Sequence, residues 1–143
     1  MSLTDAQAFF DRYADNFSRG DIAAVNDAWA MPCFISGPRS GAFTDAEVFA
    51  RNTEGLVAFY AAQGLAKAEK TVLSAEVQYD GVTLVRTADR LSDAAGEEIA
   101  TWEHLYLMRR FSDGWKVVTA ICDGEVAAWA ARGTPLGGRR QPQ

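Results

Sequence analysis

Histidine and cysteine are scarce in this chain, with one histidine and two cysteines among 143 residues. A structural zinc site needs several clustered ligands of these types, and a disulfide scaffold needs more cysteines, so we expect neither. Cys33 and Cys122 lie in apolar, strand-like surroundings, which favours buried and reduced thiols. The sequence therefore predicts a cytoplasmic protein that uses no metal and no organic cofactor.

Basic charge is the second shortage, with 14 Lys and Arg against 19 Asp and Glu and a formal net charge of -5. This acidic balance argues against nucleic acid or an anionic membrane as the main partner. Long apolar runs are also missing, since none approaches the roughly 20 residues of a membrane span. The opening MSLTDAQAFF has neither the basic start nor the apolar core of a signal peptide.

Hydrophobic residues make up 48% of the chain, which is enough for a substantial core in one globular domain. No repeat and no shift in composition marks a domain boundary. We therefore predict a single domain over residues 1–132 and a disordered tail over residues 133–143, where Gly, Pro and Arg accumulate.

The stretch Glu97–Asp123 predicts a long β-hairpin around a turn at Ser112–Gly114. Asp-Gly between apolar runs is a strong short-range hairpin signal. Both faces of the alternating pattern carry apolar residues, so both faces are expected to be covered. At about 3.3 Å per residue, an arm of about 14 residues would extend roughly 45 Å if it were straight. This is longer than so small a domain can hold flat, so the sheet is expected to curl and enclose a pocket.

Elsewhere the apolar spacing predicts helices over 4–19, 22–31 and 44–63, and a short helical turn over 124–131. It predicts strands over 33–36, 39–43, 72–79 and 82–91, before the two arms of the hairpin. The expected fold class is α+β, in which a curled antiparallel sheet of four long and one or two short strands wraps around three helices.

Two segments carry a family resemblance: FFDRYADNFSRGDIAAVNDAW at 9–29 and HLYLMRRFSDGWKVV at 104–118. Together with the order of elements, they resemble the nuclear transport factor 2-like superfamily, which includes ketosteroid isomerases and SnoaL-type polyketide cyclases. The resemblance covers residues 4–123. It implies a cystatin-like cone that small apolar molecules enter at its open end, and dimerisation through the outer face of the sheet.

The family's catalytic residues transfer poorly to this chain. Tyr13 matches a first-helix tyrosine that resembles the oxyanion-hole donor of the isomerases. The isomerase base falls near Gly37, its second acid and the cyclase histidine both fall at Leu107, and the cyclase aspartate falls at Ile121. Since Leu and Ile cannot transfer protons, the resemblance does not imply an isomerase or cyclase of those known types.

If Leu107 faces the pocket, strand alternation also points Glu103 inward. A carboxylate in an apolar cone can act as an acid or a base, so Glu103 is the first catalytic candidate, with Tyr13 as a donor opposite it. The alternative is a structural ion pair between Glu103 and an arginine on the adjacent strand, Arg86 or Arg90. The residues expected to contact a ligand are Tyr13, Trp29, Phe59, Leu105, Leu107 and Ile121.

His104 is a third catalytic candidate, and its role depends on the strand register. Without a bulge, His104 lies on the outer face with Trp102, Tyr106 and Met108, an aromatic patch suited to a dimer interface. A slip of one residue would exchange the two faces and make His104 the natural general base in the pocket. Tyr60 also deserves notice, because a buried hydroxyl requires a hydrogen-bond partner.

Two functions are consistent with these observations. The first is a SnoaL-like protein that binds a small hydrophobic molecule in the cone, with or without acid/base catalysis. The second is a non-catalytic interaction module that forms a homodimer through the outer face of the sheet. The sequence leaves open whether the protein is an enzyme.

Overall fold

The computed structural model describes residues 1–38 and 41–136, which form one six-stranded sheet with helices against it. Along the described chain the elements are α1 (Leu3–Arg19), α2 (Ile22–Asp27), β1 (Trp29–Ser36), β2 (Gly41–Phe43), α3 (Ala46–Ala62), β3 (Lys67–Tyr79), β4 (Val82–Ser92), β5 (Glu98–Phe111), β6 (Gly114–Ile121) and α4 (Asp123–Ala131). The strand order is β2-β1-β6-β5-β4-β3. This arrangement confirms the predicted α+β fold with a curled sheet.

The sheet is not purely antiparallel, because β1 pairs with β6 in parallel. The other pairs are antiparallel, and β3 to β6 follow one another as consecutive hairpins. The predicted second helix is also shorter than expected, since α2 ends at Asp27 and Trp29 already belongs to β1. None of the helices in the described residues is long and apolar enough to cross a membrane.

Helix α1 is amphipathic and packs along β3. Its buried residues follow steps of three and four, as a helix facing a core requires: Ala6, Phe10, Tyr13, Ala14 and Phe17. The helix begins two residues after Met1, with Ser2 as its N-cap, and ends at Gly20, whose φ of 66° is left-handed. The predicted end is confirmed, while the predicted start at Thr4 lies one residue inside the helix.

Two side chains of α1 bond to the backbone of β3, which is an edge strand. The Gln7 amide donates to the carbonyl of Lys70 at 2.8 Å, and its oxygen accepts from the backbone N–H of Val72 at 2.8 Å. Near the C-terminal end of α1, the Ser18 hydroxyl accepts from the N–H of Ala68 at 2.8 Å. These bonds satisfy backbone groups that β4, on the other side of β3, does not reach.

The inner face of β5 is formed by Trp102, His104, Tyr106 and Met108, which are all buried. The prediction that these four side chains form an outer patch is therefore wrong, and the alternative register, in which His104 lies inside, is the one the structure has. Both faces of β5 carry large apolar residues, so the alternation alone does not say which face is inside. A one-residue error in the assumed register reverses both faces.

A bulge in β6 shifts that strand by one position. Leu107 pairs with Thr119 and the next residue, Met108, pairs with Val117, which leaves Val118 as the extra residue. As a result both Val117 and Ala120 are buried although they lie three positions apart. Ile121 consequently points outward, with 40% of its surface exposed.

Helix α4 crosses the middle of β5 at very close range. A Cβ placed on Gly124 would lie 2.5 Å from the carbonyl oxygen of Glu103, so only glycine permits this approach. The helix buries Glu125 and Trp129 beneath the sheet. The chain then turns at Gly133, and Leu136 packs against the core; residues 137–143 of the predicted tail lie outside the described residues.

Candidate functional site

The cone encloses a cavity of about 830 Å³ between the inner face of the sheet, α1, α3 and α4. Its walls are largely aromatic and aliphatic, with contributions from Phe17, Phe43, Leu56 and Leu136. A smaller set of polar side chains also lines it: Tyr13, Arg51, Asn52, Tyr60, Glu69, Lys70, Asp89, His104, Tyr106 and Glu125. Such a volume, with few polar groups in an apolar wall, is typical of small-molecule sites.

Strand register brings Lys70 and Asp89 together. Lys70 on β3 pairs with Asp89 on β4, and Asp89 pairs in turn with Trp102 on β5, so the three side chains stand in one row. The Lys70 ammonium forms an ion pair with Asp89 Oδ2 and donates to the Tyr106 hydroxyl at 2.7 Å. The Lys70 side chain is only 9% exposed, so this is a buried ion pair with its remaining polar contacts satisfied.

Asp89 is held as a carboxylate by its neighbours. Burial alone would raise its pKa, but the Lys70 ammonium and His104 outweigh burial and hold the pKa of Asp89 well below its usual range. The second carboxylate oxygen accepts from the Thr87 hydroxyl at 2.6 Å. Asp89 therefore keeps a negative charge next to the His104 ring.

His104 lies between two carboxylates. Its Nδ1 is 2.8 Å from Asp89 Oδ2, and its Nε2 is 3.6 Å from Glu125 Oε1. The ring stacks on Tyr106 with 5.1 Å between ring centroids, which fixes its plane. The Trp102 indole N–H also approaches Nδ1, at 2.9 Å. A buried imidazole oriented by a carboxylate is the usual arrangement of a general acid or base.

Glu125 enters the site from α4. Its Oε2 accepts from the Tyr60 hydroxyl at 2.5 Å and from the Trp129 indole N–H at 3.1 Å. The other oxygen, Oε1, faces His104. Glu125 is only 3% exposed, and the two bonds to Oε2 orient its carboxylate.

The tyrosines of the cavity and the two thiols of the described chain are neutral groups at ordinary pH. Burial is the main reason why the pKa values of Tyr13, Tyr60 and Tyr106 lie above the usual range. Burial also raises the pKa of the Cys33 thiol to about 11, and it raises the pKa of Cys122. In the described residues no group of three or more His, Cys, Asp or Glu side chains is arranged to hold a metal ion.

Tyr13, Trp29 and Phe59, which the sequence predicts to contact a ligand, line the cavity. The Trp29 indole N–H donates to the Tyr13 hydroxyl at 2.9 Å, so the two side chains act as one part of the wall. Tyr60, singled out for its need of a partner, has one in Glu125.

Four other expected positions lie outside the cavity and must be corrected. Glu103 is on the outer face, where its carboxylate is 3.4 Å from the Arg86 guanidinium, the structural alternative given above. Leu105, Leu107 and Ile121 share this outer face with it. The physical reason is the strand register. The assumption that Leu107 faces the pocket exchanged the inner and outer faces of β5, and the bulge at Val118 turned Ile121 of β6 outward.

Lys70, Asp89 and Glu125 also line the site and were not among the residues predicted from the sequence. A signal existed for Asp89, because it is the charged residue in an alternating row of β4 that otherwise holds Thr83, Val85, Thr87 and Leu91. Lys70 had no separate signal, since a lysine on a long edge strand is normally solvated. Glu125 sits four residues before Trp129 on α4, and only the crossing of α4 over β5 shows that this face points into the cone.

A family model describes this architecture. The model of an NTF2-like protein family, DUF6841, matches residues 4–124. The chain belongs to this NTF2-like family. No protein with a curated description matches it. The family match ends one residue before Glu125, so Glu125 and its contact to His104 lie beyond the matched part.

Solved structures with the NTF2-like fold are similar in shape and distant in sequence. An NTF-2 like protein of unknown function from Shewanella oneidensis has a TM-score of 0.67 at 11% identity, over 85% of this chain and 98% of that chain. A Nostoc punctiforme domain of unknown function with a cystatin-like fold has a TM-score of 0.67 at 15% identity, over 82% and 74%. A ketosteroid isomerase-like protein from Erwinia carotovora atroseptica has a TM-score of 0.58 at 19% identity, over 80% and 88%. At these identities the likeness shows the NTF2-like fold alone.

Proposed function

We propose that this NTF2-like protein binds a small, mostly apolar molecule in its cone and transfers a proton to or from it with His104. The observation that carries the proposal is the position of His104, inside the cavity with Asp89 behind Nδ1 and Glu125 facing Nε2.

The cavity supports the binding part of the proposal. Its 830 Å³ is within the range of small-molecule sites, and aromatic side chains such as Trp29, Phe59 and Tyr13 form much of its wall. Burial of apolar ligand surface against these rings favours binding by roughly 25 cal/mol for each Å² removed from water. The expected ligand is therefore largely apolar, with few polar groups.

The contacts of His104 support the catalytic part. When Nδ1 donates its hydrogen to Asp89, the lone pair of Nε2 faces the cavity and can accept a proton from the ligand. Asp89 then stabilises the imidazolium that forms, because its negative charge lies 2.8 Å away. The tyrosines keep their hydroxyl hydrogens and can donate to an oxygen of the ligand.

Binding is tested with an uncharged fluorescent dye, such as Nile red, and a variant whose cavity is filled. Ala120 is buried and lines the cavity, so Ala120→Phe should weaken dye binding by at least about tenfold, because the ring occupies the ligand's space. Ala61→Phe, at an exposed position of α3, is the matched control and should bind as the wild type does. Equal dye binding by both variants would mean that the cone is not the binding site.

Proton transfer is tested with nitrobenzisoxazole, an apolar compound whose ring opens to a coloured phenolate when a base removes its C–H proton. The wild type should accelerate this reaction by about 100-fold or more relative to His104→Gln, which lacks a basic ring nitrogen. Glu103→Gln, outside the cavity, is expected to react like the wild type. Acceleration that persists in His104→Gln would remove His104 from the proposal.

We also propose a homodimer through the outer face of the sheet. Two neighbouring rows of cross-strand partners contribute to this face. One row contains Leu84, Leu107 and Phe34, and the other contains Leu105 and Ile121. Phe34 and Ile121 are each 40% exposed, so a continuous apolar area faces outward and would be covered in a dimer.

Sedimentation measures the dimer directly. Leu107→Lys should shift the protein towards the monomer, since it places a charge in the centre of the apolar area. Leu73→Lys, on the exposed edge strand β3, is a control with the same change of residue. A wild type that sediments as a monomer at micromolar concentration would contradict this assignment.

A further inference from the structure

The oxygen Oε1 of Glu125 has a hydrogen-bonding capacity that the protein leaves unused. Oε2 of the same carboxylate already accepts from Tyr60 and Trp129. Within the described residues, the polar neighbour of Oε1 is His104 Nε2 at 3.6 Å, beyond hydrogen-bonding distance. A polar atom of a ligand at this position would meet both Oε1 and Nε2.

Two groups compete for the other nitrogen of His104. The Trp102 N–H can only donate, so its contact of 2.9 Å requires a lone pair on Nδ1. The Asp89 carboxylate can only accept, so its contact of 2.8 Å requires a hydrogen on Nδ1. One imidazole cannot satisfy both at once, and the choice decides what Nε2 presents to the cavity.

Glu125 Oε1 accepts in every protonation state of the ring. If Nδ1 accepts from Trp102, or if the ring carries both hydrogens, Nε2–H is a donor beside the Oε1 acceptor. If Nδ1 donates to Asp89 in the neutral ring, Nε2 and Oε1 are both acceptors. A ligand group must therefore donate a hydrogen to Oε1, and in two of the three states it must also accept one.

The charges in the cavity disfavour an anion at this position. The lining side chains include three carboxylates, Glu69, Asp89 and Glu125, and two cations, Arg51 and Lys70. Lys70 is already bound to Asp89 and Tyr106, and Arg51 lies at an exposed position of α3. Apart from His104 when it is protonated, no cation contacts Glu125 in the described residues, so a ligand carboxylate beside a neutral His104 would face an unscreened negative charge.

We infer that the ligand is a neutral hydroxyl compound on an apolar, ring-sized skeleton, with its hydroxyl placed between His104 Nε2 and Glu125 Oε1. A hydroxyl supplies one donor and one acceptor, so it can donate to Oε1 in every state of the ring and accept from Nε2–H in the two states that have this hydrogen. The corresponding carboxylate is rejected. This inference rests on the proposed binding function and specifies the ligand for the same cavity.

Calorimetric titration at about pH 7 with naphthol, naphthoate and methylnaphthalene, substituted at the same ring position, tests this inference. The three probes share one apolar skeleton and differ in the group offered to Glu125. Naphthol should bind at least about tenfold more tightly than either other probe, since a hydrogen bond to a charged acceptor is among the stronger ones. Naphthoate, ionised at this pH, should bind most weakly.

Glu125→Gln and Glu103→Gln form a matched pair of variants with the same change of charge. Glu125→Gln removes the negative charge in the cavity while its amide oxygen can still accept from Tyr60, so the ratio of naphthol to naphthoate affinity should fall at least about tenfold. Glu103→Gln, on the outer face, should keep the wild-type ratio. If Glu125→Gln does not fold, the wild-type ratio alone still decides.

The outcomes separate the two claims. If none of the three probes binds, the proposed binding function fails and the inference fails with it. If the probes bind but naphthoate or methylnaphthalene binds as tightly as naphthol, the cavity is a binding site and the inferred hydroxyl preference is overturned. An equal change of ratio in both variants would also overturn it, because the effect would then come from overall charge.

Discussion

Asp89 is the residue whose charge most directly connects stability to pH. It is 4% exposed, yet Lys70 and His104 hold its pKa well below the usual range although burial alone would raise it. A lowered carboxylate pKa stabilises the folded state above the pKa of the unfolded chain, which is 3.8 for aspartate. This stabilisation is lost progressively as the pH falls below that value.

Asp89→Asn should therefore lower the free energy of unfolding at about pH 7 by roughly 3 kcal/mol, because it leaves the Lys70 ammonium buried without its counter-charge. The variant should also lose less stability than the wild type between about pH 5 and about pH 3, since it has no Asp89 carboxylate to protonate. Urea unfolding at several pH values measures both effects. Parallel pH profiles for the two proteins would argue against a charged Asp89.

At the scale of elements, the position of helix α4 depends on one close contact with the backbone of β5. The Cβ of an alanine at Gly124 would lie 2.5 Å from the Glu103 carbonyl oxygen, and backbone cannot yield as a flexible side chain does. Gly124→Ala should therefore destabilise the fold by about 2 kcal/mol and move Glu125 away from His104, with weaker ligand binding as a result.

Gly55→Ala, in the middle of α3, is the control for this substitution. A Cβ there meets no atom within 4 Å, and a helical Gly→Ala change stabilises by roughly 0.5–1 kcal/mol. Thermal or urea unfolding of both variants measures the contrast. A Gly124→Ala protein as stable as Gly55→Ala would show that α4 does not need this approach.

The order of elements could be predicted from the sequence because each boundary has a local cause. Gly20 ends α1 in a left-handed conformation, and Asp45 caps α3 by accepting from the N–H groups of Glu47 and Val48. Asp80-Gly81 and Asp113-Gly114 mark the turns from β3 to β4 and from β5 to β6. None of these signals depends on contacts between distant parts of the chain.

The site could not be predicted to the same extent because it depends on such contacts. His104 or Glu103 faces the cavity according to a register that both apolar faces of β5 permit. Asp89 joins His104 through strand pairing, and Glu125 joins it through the crossing of α4. Of the residues that the main register of the sequence put in the pocket, Tyr13, Trp29 and Phe59 line the cavity, and these three lie on or next to helices with a clear inner side.

At the scale of the whole molecule, three buried tyrosines predict a steep loss of stability in alkali. The pKa values of Tyr13, Tyr60 and Tyr106 are raised, chiefly by burial, above the value of 10.0 in an unfolded chain. A raised pKa gives stability that is complete below the unfolded value and declines as the pH rises above it, because the unfolded chain releases protons that the folded one keeps.

Three such groups should lower the free energy of unfolding by about 4 kcal/mol for each pH unit above roughly pH 10. Urea unfolding at increasing pH gives this slope, and ultraviolet difference absorption reports tyrosinate formation. Tyr13→Phe should reduce the slope by about a third. A slope that corresponds to a single proton would contradict the burial of all three hydroxyls.

The bonds between α1 and the edge strand β3 also bear on self-association. Gln7 and Ser18 occupy backbone groups between Ala68 and Val72 that would otherwise bind a strand of another molecule. The rest of β3 is interrupted by register shifts near Leu73 and Gln78, which bend it away from a flat template. A sheet protected in this way resists growth into fibrils at this edge, although exposed apolar residues such as Val77 lie along it.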